Sequence, residues 1–129
     1  MADLHRILYV EDDRDIQLVA RLALEAVGGF EVRLSSSGEE GLAEAIADPP
    51  DLLLLDVMMP TMDGPSTLLA MREVESLVDV PAVFITAKVQ PDEVEYYISL
   101  GALGVIPKPF DPMTLADQIR AIWQTRQTD

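Results

Sequence analysis

The chain has 129 residues, 49% of them hydrophobic, which is enough to bury a core in one domain of ordinary size and too apolar for a disordered chain. It contains no cysteine, which excludes a disulfide scaffold and a thiolate metal site. With 23 acidic against 9 basic residues the net charge is −14, which argues against direct nucleic-acid binding because a phosphate backbone would be repelled.

The opening Met1-Ala2-Asp3-Leu4-His5 lacks the basic segment and long apolar stretch of a signal peptide. The longest apolar runs, about five residues, are too short for a membrane span. The expectation is a cytoplasmic protein that does not insert into membranes. In chain order, Ile7–Val10 reads as a first strand. Ile16, Val19, Ala20, Ala23 and Val27 fall at helical spacing and predict a helix over Asp15–Val27, ended by Gly28-Gly29. Phe30–Leu34 alternates in polarity as a second strand. Ser37 with Glu40 forms a capping-box signal for a second helix, which Asp48-Pro49-Pro50 stops. Leu52–Leu55 is a continuous apolar run, the pattern of a central parallel strand covered on both faces. Gly64 to about Leu77 predicts a third helix with Pro65 in its first turn. Pro81–Ile85 reads as a fourth strand, Pro91–Leu100 as a fourth helix closed by Gly101, and Gly104–Ile106 as a short fifth strand. A fifth helix starts near Pro112 with Asp111 as N-cap, and its core face is Leu115, Ile119 and Ile122 with Trp123 beside it. Strands alternating with amphipathic helices predict an α/β (βα)5 architecture: an open, twisted, doubly wound parallel sheet with helices on both faces.

The residues just past the strand ends carry more chemistry than the strands themselves. Glu11-Asp12-Asp13 comes after the first, Asp56 after the third, Thr86 after the fourth and Lys108 after the fifth. Open α/β sheets bind ligands outside the carboxyl ends of their strands, so these polar groups belong to one edge. Carboxylates gathered there repel one another, and a hard dication relieves that repulsion; Mg²⁺ suits a site with few protein ligands and room for water and phosphate oxygens. A metal, an ammonium and a hydroxyl are the equipment for holding a phosphoryl group, and a carboxylate can serve as its nucleophilic acceptor.

Val10-Glu11-Asp12-Asp13, Leu55-Asp56-Val57-Met58-Met59-Pro60 with Met62-Asp63-Gly64, Thr86-Ala87 and Pro107-Lys108-Pro109-Phe110 together resemble the receiver domain of two-component response regulators, chemotaxis-regulator-like, over essentially the whole chain. The resemblance implies one receiver domain over residues 1–129 with a flavodoxin-like sheet of order 2-1-3-4-5. It implies a phosphoacceptor signalling switch in a phosphorelay, taking phosphate from the phosphohistidine of a histidine kinase or histidine phosphotransfer protein. Such a protein is not an enzyme in the usual sense, although Mg²⁺-dependent self-phosphorylation and autodephosphorylation are expected of it.

Carried over by position, Asp56 is the phosphoacceptor. Asp12 and Asp56 ligate Mg²⁺, Glu11 assists through metal-bound water, and Met58 offers its backbone carbonyl. Thr86 and the Ala87 backbone amide receive the phosphoryl oxygens, Lys108 supplies the ammonium, and the bond to Pro109 is cis. Output passes through the surface of helix four, strand five and helix five to a downstream protein, as a monomer or a phosphorylation-linked dimer. Asp13 has no ligand role and begins the loop into the first helix.

Two positions depart from the family pattern. Val105 stands where an aromatic switch residue is common, and a valine stiff at χ1 cannot act in that way. Lys88, with Met58, sits where access of hydrolytic water is tuned. A degenerate receiver that binds partners without phosphorylation is an alternative that these departures leave open. A flavodoxin-type flavin carrier needs a glycine- and hydroxyl-rich phosphate loop, where this chain has Glu11-Asp12-Asp13-Arg14-Asp15. An aspartate-nucleophile phosphatase wants a second acid at the place of Met58. His5 reads as a solvated residue, the six methionines as core and loop filler, and at least one of Tyr96 and Tyr97 is expected at the surface.

Overall fold

The computed structural model describes residues 3–126. Five parallel strands, β1 (Arg6–Val10), β2 (Glu31–Ser35), β3 (Leu52–Asp56), β4 (Ala82–Thr86) and β5 (Gly104–Pro107), form one sheet in the order β2-β1-β3-β4-β5. That is the doubly wound order the resemblance implies, and strands two and four each begin and end one residue later than their apolar patterns suggest.

Alternation along the strands builds two cores. Ile7, Tyr9, Leu52, Leu54, Val83 and Ile85 face α1 (Arg14–Arg21) and α5 (Leu115–Gln124), where Ala20, Leu115, Ala116 and Ile119 meet them. Leu8, Val10, Leu53, Leu55, Ala82 and Phe84 face α2 (Gly38–Ala47), α3 (Gly64–Arg72) and α4 (Pro91–Ser99), packing on Ala45, Leu68, Met71 and Tyr97. Leu52–Leu55 are all fully buried, and each such side chain contributes about 2 kcal/mol.

Helix starts follow local chemistry. Asp13 caps α1, its Oδ1 accepting the N–H groups of Asp15 at 2.9 Å and Ile16 at 3.2 Å. Ser37 Oγ accepts Glu40 N–H at 3.1 Å, while the Glu40 carboxylate returns to Ser36 N–H at 3.3 Å, one residue before the expected partner. Asp63 caps α3 through Ser66 N–H at 2.8 Å, and Glu93 accepts Gln90 N–H at 3.2 Å at the start of α4.

Three expected helices differ in extent. The first is α-helical only to Arg21 and continues as a π-helical segment over Leu22–Val27, in which Gly28 N–H bonds Ala23 O at 3.1 Å. The wider turn places the adjacent Ala23 and Leu24 both in the core. The third stops at Arg72; Val74 is extended, and a separate 3-10 turn, Glu75–Leu77, buries Leu77 while the Arg72 guanidinium donates to the Leu77 carbonyl at 2.7 Å. The fifth begins at Leu115 rather than near Pro112. Asp111 instead heads the preceding turn, its Oδ1 accepting Met113 N–H at 2.9 Å and its carbonyl accepting Thr114 and Leu115 N–H at 3.1 and 3.0 Å. Tyr96 is 53% exposed and Tyr97 5%, as an adjacent pair on one helix requires.

Candidate functional site

Strand phasing brings Glu11 and Asp56 together. Leu52, Leu54 and Asp56 share one face of β3, Tyr9 pairs with Leu54 in register, and Glu11, just past the end of β1, meets the Tyr9 hydroxyl on that same side. The two carboxylates therefore rise side by side at the carboxyl edge of the sheet, 1% and 3% exposed. Asp12, one residue on, is exposed. Glu11, Asp12 and Asp56 can each bring one oxygen within 4.8 Å of the others.

Lys108 reaches into this cluster from the end of β5. Its Nζ donates to Glu11 Oε1 at 2.7 Å and to Asp56 Oδ1 at 3.0 Å, and its backbone N–H is held by the Thr86 carbonyl at 2.9 Å. The Lys108–Pro109 bond is cis. Burial, then the negative charge of Glu11, push Asp56 up to about 7. Burial alone would raise Glu11, but the hydrogen bond from Lys108 and that from the Asp13 N–H hold it below the usual carboxylate range. Asp12 is raised, by burial first and then by Glu11. Burial works against the Lys108 charge, yet its bonds to Glu11 and Asp56 prevail and raise it. Glu11 and Asp56 thus share one ammonium while Asp12 stands beside them without it, and the donor set is all hard oxygen; both facts fit a hard dication.

Thr86 is buried at the end of β4, and its Oγ1 accepts the Lys88 N–H at 3.1 Å, tying down the loop beyond the strand. Ala87, Lys88 and Met58 are exposed at the rim. Val105 is half-buried beside Phe84, its partner in register, on the face covered by α3 and α4. The aromatic bulk on that face comes from α4: the Tyr97 ring lies 5.3 Å from Phe84, centroid to centroid. Behind Asp56, Gly64 donates its N–H to Val57 O at 2.9 Å, and a Cβ on Gly64 would stand 2.4 Å from the Asp56 carbonyl oxygen.

Two residues of this neighbourhood are absent from the motifs. The Tyr9 hydroxyl, wholly buried, donates to Glu11 Oε1 at 2.9 Å. Gln17 donates to the Glu11 carbonyl and to Ser36 Oγ at 3.2 Å, fastening the end of β1 to the loop after β2. The signal for Tyr9 was its place two residues before an acid on one strand, which puts both side chains on the same face.

A family model for the response regulator receiver domain matches residues 7–120. The chain belongs to the response regulator receiver domain family. This receiver domain is 38% identical over 122 residues to the transcriptional regulatory protein CseB of Streptomyces coelicolor, covering 95% of this chain and 50% of that protein. It is also 38% identical over 119 residues to the transcriptional regulatory protein CpxR of Escherichia coli, covering 92% of this chain and 49% of that protein. The chain thus spans about half the length of the curated relatives it matches. Among solved structures, the chemotaxis protein CheY4 of Vibrio cholerae superposes with a TM-score of 0.85 at 28% identity, over 93% of this chain and 99% of that one. Among the described residues no helix is long and apolar enough to cross a membrane.

Proposed function

We propose that this receiver domain is a phosphoacceptor switch: Asp56 takes a phosphoryl group from the phosphohistidine of a kinase or phosphotransfer protein, and the altered surface of α4, β5 and α5 controls a partner protein. The observation that carries the reading is the Lys108 ammonium lodged between the buried Glu11 and Asp56 carboxylates. Glu11, Asp12, Asp56 and the Met58 carbonyl would hold Mg²⁺, which supplies charge neutralisation to the phosphoryl oxygens. An Asp56 oxygen bonds phosphorus as the phosphorus–nitrogen bond of the donor breaks and its electron pair returns to the imidazole. Lys108, already at hydrogen-bond distance, turns from carboxylate to phosphoryl oxygen. Thr86 exchanges the Lys88 N–H for the new acceptor, with the Ala87 amide beside it, and so shifts the loop leading into α4.

An apolar groove lined by Ile16, Val19, Ala87, Pro109 and Phe110 opens beside Lys108 and supports approach of the donor protein there. The role is that of a single switch unit in the cytoplasm, a monomer or phosphorylation-linked dimer, with no direct contact to nucleic acid and no turnover of a separate substrate beyond its own phosphorylation and dephosphorylation. Incubation with acetyl phosphate and Mg²⁺, read by intact mass, tests the reading. One base-labile phosphate on the wild type and none on Asp56→Asn is expected. Equal acceptance by both overturns it.

A further inference from the structure

We infer that Tyr9 is a positioning residue for the phosphoacceptor site, acting through Glu11 on the capacity of the acidic cluster to take a divalent cation. The inference rests on the reading of Asp56 and its neighbours as a cation-dependent phosphoacceptor site.

Glu11 is the one carboxylate of the three with both oxygens engaged by the protein. Its Oε1 accepts the Tyr9 hydroxyl at 2.9 Å and the Lys108 ammonium at 2.7 Å, and its Oε2 accepts the Asp13 N–H at 3.2 Å. These three donors come from different directions: from below on the same face of β1, from β5 across the sheet edge, and from the loop ahead. Together they fix which way the carboxylate plane faces. Tyr9 is the only one of the three that is wholly inside, with none of its surface exposed, so its ring cannot swing away to water. Its neighbours in the core are apolar, and Glu11 Oε1 is the one side-chain acceptor its hydroxyl meets. A phenylalanine would fill the same space, so the hydroxyl is there for Glu11 and not for packing.

The consequence is a division of labour around one oxygen. Lys108 is shared with Asp56 and has to turn toward an incoming phosphoryl group, which leaves Tyr9 as the donor that stays. A carboxylate near a cation is oriented by such partners, and losing one typically lowers metal affinity about 10- to 100-fold.

The test uses the full chain as Tyr9→Phe, Glu11→Gln and the double variant. Melting temperature is followed against MgCl₂ concentration, and phosphorylation by acetyl phosphate is followed by intact mass over the same range. For Tyr9→Phe the MgCl₂ midpoint of stabilisation is expected to rise about tenfold. The slower phosphorylation at low MgCl₂ should recover as MgCl₂ saturates. In the Glu11→Gln background, deleting the hydroxyl should move neither midpoint further. A Tyr9→Phe chain whose metal-free melting temperature falls while its MgCl₂ midpoint stays within about twofold assigns the tyrosine to packing and overturns the inference. So does an equal tenfold shift in the Glu11→Gln background. A wild-type chain that takes phosphate while Tyr9→Phe matches it at every MgCl₂ concentration removes the Tyr9 role alone. A wild-type chain that neither takes phosphate nor responds to MgCl₂ removes the phosphoacceptor reading, and the inference with it.

Discussion

Gly64→Ala perturbs the proposed acceptor Asp56 through its backbone, although it touches no charged group. The added Cβ would stand 2.4 Å from the Asp56 carbonyl oxygen, against a floor of 3.0 Å for real Cβ contacts, and 2.9 Å from Val57 Cα. Both neighbours are backbone, so neither can rotate aside. The start of α3 and the end of β3 must part by about 0.6 Å, the difference between the 2.4 Å approach and the 3.0 Å floor. Forcing a methyl into packed backbone costs about 1–3 kcal/mol. Alanine in a first helical turn returns up to about 1 kcal/mol of conformational entropy. The net expectation is destabilisation by about 1–2 kcal/mol, a fall of roughly 5 °C in melting temperature for a domain of this size. Function suffers more than stability, because the carboxylate moves with its backbone and a displacement approaching 1 Å costs up to about 100-fold in rate. Differential scanning fluorimetry gives the first quantity and the rate of phosphate gain from acetyl phosphate the second. A Gly64→Ala chain with wild-type melting temperature and wild-type rate would refute the claim that this close approach sets the position of Asp56.

Asp56 is raised from 3.8 to about 7, so the folded chain holds this proton more tightly than the unfolded chain does. Its contribution is full below about pH 4 and is lost as pH rises through about 7; in EDTA, the stability of Asp56→Asn relative to wild type should grow by up to about 3 kcal/mol between about pH 5 and pH 8, and urea midpoints showing the reverse trend would contradict it. Lys108→Met leaves two buried carboxylates without their ammonium. It should cost about 3 kcal/mol in urea at about pH 8, less at about pH 5, and should abolish phosphate uptake. Asp13→Ala removes the acceptor of two N–H groups at the head of α1, and a loss of about 1 kcal/mol in chemical denaturation is expected, with the phosphoacceptor still competent.

Much of the molecule was legible in advance because its signals are local. Leu52–Leu55 announces a strand covered on both faces, and the acids, hydroxyl and lysine at the strand ends mark the edge where they meet. What escaped notice depended on contacts between distant segments. The apolar spacing of Ile16 to Val27 is shared by α- and π-helical winding over so short a stretch, so the change of winding at Leu22 left no trace in it. The break before Val74 was hidden because Leu68, Met71 and Leu77 continue an apolar rhythm across it. Asp111 looks like any N-cap, yet its bonds close a turn that delays α5 by a few residues. Tyr9 reads simply as a β-favouring aromatic until the second side chain along its face is seen to be Glu11. Tyr97 could be placed inside only once Phe84 was known to lie opposite.

Lys108 stands 97 positions from Glu11 and 52 from Asp56 along the chain. Until β5 has docked on β4, the two acids confront each other without their shared ammonium, and each end of that long loop must be found before the pair is satisfied. A nascent polypeptide still on the ribosome, or one clipped ahead of its fifth strand, would carry Asp56 and Glu11 yet lack the Lys108 ammonium between them. On the proposed reading, acceptance of phosphate by Asp56 requires β5 to be docked on β4, because only then does Lys108 reach the acid.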